Sequence, residues 1–131
     1  MENVSVHALA RRVLFINGIV DLVAALLLFF PVFNLPLPGY DTYTSILAFV
    51  AGGWGVATLA LGVVRIWSSY KPTTHILMVS GGIIEGILLA IFCVVNIQSL
   101  GITALQASLP LTVGGVFGVL NLIALLRMVG K

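Results

Sequence analysis

Two carboxylic acids lie in stretches with no reason to meet water. Asp21 is the one acid in Asn17-Gly18-Ile19-Val20-Asp21-Leu22-Val23-Ala24-Ala25, and Glu85 the one acid in Gly81-Gly82-Ile83-Ile84-Glu85-Gly86-Ile87-Leu88-Leu89. An acid at the centre of an apolar helix costs roughly 2.5–3.5 kcal/mol on insertion. Residues kept at that cost are the first candidates for chemistry. Two facing carboxylates in a low dielectric share one proton and titrate as a pair. Asp21 and Glu85 are thus candidates for a proton or ligand site. The alternative is that each hydrogen-bonds a neighbouring helix and fixes its packing.

Five other residues join them as candidates. Asn17 stands four residues before Asp21 and shares its helical face. Asn121 and Thr58 are polar groups inside the other apolar runs. Trp54 lies between Gly53 and Gly55, placed either to pack on a neighbour or to line a pocket. Arg65 is the obvious counter-ion. At 1.5 Å per residue the acids lie roughly 13–15 Å from the end where Arg65 sits, which predicts no direct contact unless Arg65 is drawn inward.

Other chemistry has little support. His7 and His75 are far apart in sequence and make a poor metal site, so no metal is expected, and His75 reads as an interfacial residue. The single cysteine, Cys93, permits no disulfide within the chain and no Cys-x-x-Cys pair, and reads as an apolar filler. No Ser-His-Asp set, phosphate-cradling loop or zinc spacing is present. No catalytic residue and no cofactor are indicated, which points away from an enzyme. Six basic residues are too few for a nucleic-acid footprint.

Composition says what must position these groups. Only 8% of the chain is charged and 60% is hydrophobic, against about 25% charged residues in a soluble domain. Such a chain cannot cover itself with polar groups, so its solvent is lipid. The expected fold is all-α: a single membrane domain of four transmembrane helices near residues 13–33, 44–66, 76–95 and 109–128. Arg11-Arg12 before an apolar run imitates a signal sequence, but the run is too long, contains Asp21 and has no small-residue cleavage site, so it reads as a retained span. Asn3 or Ser5 would cap a short interfacial turn before it. Asp41 or Thr42 would cap the second span, Thr73 or Thr74 the third, and Ser108-Leu109-Pro110 would open the fourth with proline in its first turn.

All six basic residues, Arg11, Arg12, Arg65, Lys71, Arg127 and Lys131, fall on one side of this layout. The positive-inside rule then makes both termini cytoplasmic, in a membrane expected to be the prokaryotic plasma membrane. The spans also repeat. Gly52-Gly53 through Arg65 aligns without a gap on Gly114-Gly115 through Arg127, and Gly18-Ile19-Val20-Asp21 on Gly82-Ile83-Ile84-Glu85. The chain reads as two tandem helical hairpins in the same orientation, related by an axis along the membrane normal. That axis would bring Asp21 and Glu85 to equal depth and gather the polar residues into one cluster. Small residues at Ala48, Gly52, Gly55, Gly62, Gly114 and Gly118 would let the helices approach closely.

The Gly-x-x-Glu-Gly-x-x-Leu-Leu motif from Gly82, four spans and arginine before the first span resemble the DoxX-like group of small bacterial and archaeal membrane proteins. That resemblance covers most of the chain. It implies a four-helix membrane fold and, as in some members, an accessory role beside membrane quinone-linked oxidoreductases or redox maturation systems. It assigns no catalytic residue. Three functions stand open from the sequence: a non-catalytic accessory or binding subunit, a proton-coupled transporter of a small substrate acting as a dimer, and a lipid- or quinone-linked membrane enzyme. The expected partners are the bilayer and either further copies of the chain in a homo-oligomer or another membrane protein.

Overall fold

The structure, a computed structural model, describes residues 2–130, with side chains from His7 onward. Lys131 and the side chains of Asn3 and Ser5 lie outside the described residues. Four helices follow in order: α1 (Glu2–Leu28), α2 (Ser45–Ser69), α3 (His75–Ser99) and α4 (Ala104–Val129), with 3-10 turns at Phe30–Phe33 and Pro72–Thr74. Each helix is long and apolar enough to cross a membrane. The chain has the architecture of a small multi-pass membrane protein of the all-α class.

The helices run past the apolar stretches, and local chemistry explains where they stop. The segment before Val13 is not a separate turn but part of one continuous α1. At its far end the chain passes into the 3-10 turn with Pro31 as its second residue, and Asn34 leaves it in the left-handed conformation. The cap of α2 is Thr44, whose hydroxyl accepts from the Leu47 N–H, two residues later than Thr42. Thr74 precedes α3 without capping it; its hydroxyl donates to the Lys71 carbonyl instead. The start of α4 lies about one turn before Ser108. Thr103 and Gln106 form a reciprocal capping box there, so Pro110 falls inside the helix rather than in its first turn. Gln106 also donates to the Gly39 carbonyl, tying the α1–α2 loop to the start of α4.

Helix α1 packs along α2, and α3 along α4. Contact between the two pairs runs mainly through α1 and α4, with α3 meeting α1 and α2 more lightly. Glycine sets both crossings. A Cβ on Gly18 would stand 2.8 Å from the Gly62 carbonyl oxygen, and one on Gly86 would stand 2.5 Å from that of Gly114. Any larger residue would push the backbones apart.

The distribution of polarity is inverted relative to a water-soluble domain. Ile46, Phe49 and Leu77 are each more than 70% exposed, which suits a lipid environment. The buried apolar core is small: Ala10, Leu14, Val79 and Ala124. Polar groups share the interior with it: Asn17, Asp21, Arg65, Ser68, Ser69, His75 and Asn121 are all buried.

Candidate functional site

Three charged residues from three helices meet in this interior. The Nη1 of Arg65 on α2 donates to Oδ2 of Asp21 on α1 at 2.5 Å, and its Nη2 donates to Oε2 of Glu85 on α3. The expectation that Arg65 lies out of reach is therefore corrected. Helical side chains lean toward the N-terminus of their own helix. The α2 N-terminus is at the far end of the bundle, so Arg65 reaches back into it. Helices α1 and α3 run the opposite way, so Asp21 and Glu85 lean toward Arg65. The gap counted along the backbone is closed from both sides. Gly62 clears the route, since a Cβ there would stand 3.1 Å from that of Asp21.

A cavity of about 10 Å³ adjoins the triad, lined by Asn17, Asp21, Arg65, Glu85, Val113 and Phe117 among others. That is space on the order of one water molecule. Four of the seven candidates, Asn17, Asp21, Arg65 and Glu85, are thus brought together. Asn121 is fully buried beside them but does not line the cavity. Its amide packs on Gly82, too close for any side chain at that position, and neither its nitrogen nor its oxygen has a hydrogen-bond partner among the described residues. The Nε of Arg65 is likewise buried without one.

Thr58 and Trp54 stand away from the charges. With Leu61 and Arg65 they fall at 54, 58, 61 and 65, one stripe of α2. This stripe meets α3 twice, through Arg65 and Glu85 and through Trp54, whose ring centroid is 5.9 Å from that of Phe92. Trp54 is half-exposed, and Thr58 is half-buried between the two contacts. Neither lines the cavity.

Spacing in the sequence hid a second polar contact. His7 and His75 meet at the end of the bundle where the basic residues gather, Nδ1 to Nδ1 at 3.2 Å. His75 is fully buried rather than interfacial. Its Nε2–H donates to the Ser69 carbonyl at 3.1 Å, which leaves its Nδ1 to accept from the His7 Nδ1–H. The unbroken α1 carries His7 alongside the start of α3, and the short connection after Ser69 places that carbonyl. Nearby cations rest on aromatic rings: Arg11 lies 5.1 Å from the Tyr70 centroid and Lys71 lies 3.8 Å from that of Trp67. No cluster of three or more metal-ligating side chains occurs among the described residues.

No protein family, curated protein or solved structure matches the chain. Any reading of function rests on the geometry and on the motif.

Proposed function

We propose that this protein is a non-catalytic accessory or binding subunit of a complex in a prokaryotic plasma membrane. It is inserted as two tandem helical hairpins with both termini cytoplasmic. One observation carries this reading. Arg65 engages both intramembrane acids, and the adjoining cavity has room for about one water. The polar centre of a single chain offers no space for a substrate, and its charges fasten α1, α2 and α3 to one another. What remains for recognition is the surface. A Cβ on Gly53, Gly81 or Gly115 would touch nothing within 4 Å, so flat backbone faces the surroundings on α2, α3 and α4. Small residues of this kind admit the close approach of another helix. The resemblance to DoxX-like proteins, some of which are accessory subunits, points the same way.

Purification in mild detergent followed by mass spectrometry tests the role. A second membrane protein at fixed stoichiometry is expected. Recovery of the chain alone with a tightly bound lipid or quinone would overturn the proposal in favour of a membrane enzyme. Orientation is tested separately with Thr73→Cys and Gln98→Cys in a Cys93→Ala background, since both positions are exposed. A membrane-impermeant thiol reagent applied from outside should label only the second. Labelling of Thr73→Cys alone would reverse the topology.

A further inference from the structure

Glu85 differs from the other two members of the triad in what surrounds it. Its side chain is 36% exposed, against 6% for Asp21 and 3% for Arg65. Glu85 is ten residues past the start of α3, about 15 Å along the helix, which is half the hydrocarbon thickness. At that depth an exposed atom faces lipid tails unless another chain covers it. An acid facing hydrocarbon is costly, and such acids are as a rule paired or turned inward. Arg65 only partly meets the need. One guanidinium stands against two carboxylates, so both acids can be ionised at charge balance only if a second cation is supplied, and the acid open to receive it is Glu85.

We infer that the Glu85 face of α3 is covered in the membrane by a helix of a different protein that carries a basic side chain at mid-span. This rests on the accessory-subunit reading and names the chemistry of its partner. Charge complementarity selects the occupant. A second copy cannot supply the cation: Arg65 is already engaged, and Arg12 and Arg11 stand nine and ten residues before Asp21. Lys71 lies outside the helices, Arg127 is two residues from the end of α4, Lys131 follows that end in sequence, and His7 and His75 are engaged with each other at the basic end of the bundle. A symmetric pair of copies joined at this face would set Glu85 against Glu85, like charge on like charge. Steric room is also present. Gly81 is one turn from Glu85 on the same face, and a Cβ there would meet nothing, so a foreign backbone can come close enough for a lysine, arginine or histidine to reach the carboxylate.

The experiment places a photo-crosslinking amino acid at Leu88, an exposed position one turn beyond Glu85. Cells or native membranes are illuminated, the chain is purified and the adducted peptide is sequenced by mass spectrometry. The expected adduct is a transmembrane peptide of another protein with Lys, Arg or His in its central third. Its yield should fall at least about tenfold in Glu85→Gln, a loss in keeping with removal of one member of a buried charge pair. Peptide identity is read on the chain with native Glu85, so it does not depend on how well the variant accumulates. An adduct to this same chain, adducts to lipid alone, or a foreign helix with no basic residue at mid-span would each overturn the inference. So would an unchanged yield in Glu85→Gln. A stoichiometric partner that crosslinks from another face leaves the accessory role standing and ends only this inference; no partner from any face ends both.

Discussion

The pair α1–α2 and the pair α3–α4 both cross through glycine, yet they place charge differently. In the first pair Gly18 faces Gly62 and Ala25 faces Gly55. In the second Gly82 faces Asn121 and Leu89 faces Gly114. Contacts therefore equate Gly55 with Gly114 and Gly62 with Asn121, a separation of 59 residues. The gapless alignment that matches the Gly-Gly pairs and the final arginines separates them by 62. The difference of three residues is nearly one helical turn, about 4.5 Å of rise. Arg127 consequently ends up at the exposed end of α4, while Arg65 sits inside. The position matching Arg65 by contact is Ala124, buried in the small core against α1. Repeated letters in apolar helices fix which residues pack, but a turn of slip decides which arginine becomes an internal counter-ion.

Removing the two arginines in turn should break the comparison most visibly. Arg65→Leu strands two intramembrane carboxylates, and loss of one member of a buried ion pair costs about 3–5 kcal/mol. Arg127→Leu alters an exposed residue and should stay within about 0.5 kcal/mol. Unfolding in mild detergent by titrated SDS, followed by circular dichroism, would measure both. Equal effects would mean that the repeat is symmetric after all and that the triad carries no special load.

Glycine substitutions sharpen the same point at a smaller scale. Gly18→Val and Gly86→Val place carbons against backbone oxygens of the partner helix, and such overpacking costs about 1–3 kcal/mol or more. Gly53→Ala and Gly115→Ala meet open space and should be neutral, or stabilising by up to about 1 kcal/mol from helix propensity. The same unfolding assay ranks all four. If the two exposed positions instead lowered the yield of a partner complex without lowering stability, they would mark its docking face.

How far the sequence discloses this arrangement differs from residue to residue. Four apolar runs, two acids within them and glycines at helical spacing are enough for the membrane class and for the close-packed faces, because period and composition act locally. Depth counted along the backbone sets Arg65 out of reach unless it is drawn inward, because such a count ignores the direction in which a side chain leans. The His7–His75 contact joins residues 68 positions apart, and it exists because α1 continues without a break through the polar amino-terminal segment, where composition alone suggests a separate turn. Asn121 is legible as a polar residue in an apolar run, but its lack of a partner is a property of the register, which several near-equal glycine alignments leave open.

The histidine contact supplies a test of intermediate size at the basic end of the bundle. His75→Ala removes an N–H donor to the Ser69 carbonyl and an acceptor for His7, and it leaves that carbonyl buried without its partner. A loss of about 1–3 kcal/mol is expected. His7→Ala removes only the outer of the two bonds and should cost about 1 kcal/mol or less. Hydrogen exchange along the first two turns of α1 would separate them, since release of this segment should raise exchange there before any global change. If His7→Ala has the larger effect, the Ser69 bond is not what holds His75 in place.

A small net effect is expected at Asn121, where the two pairs diverge most in chemistry. Its amide has two donor hydrogens and an acceptor oxygen, none of them used among the described residues. In water-soluble proteins an orphan of this kind costs about 1–3 kcal/mol. The unfolded reference within a membrane is also poor in water, and interhelical polar contacts there average nearer 0.6 kcal/mol. Asn121→Ala removes the orphan and leaves a small void over Gly82, so the two terms offset. A change within about 1 kcal/mol is expected, in the stabilising direction. Asn121→Gly goes further and recreates the glycine-on-glycine crossing that Gly18 and Gly62 form in the first pair. It should tighten α3 against α4, readable as slower amide exchange around Gly82 and Gly86. A loss of 2 kcal/mol or more in Asn121→Ala, roughly the cost of breaking a made hydrogen bond, would mean that the amide is partnered in the membrane. The polar cluster would then extend from the α1–α2–α3 triad into α4, and the second helix pair would hold a site of its own rather than an unpaired amide.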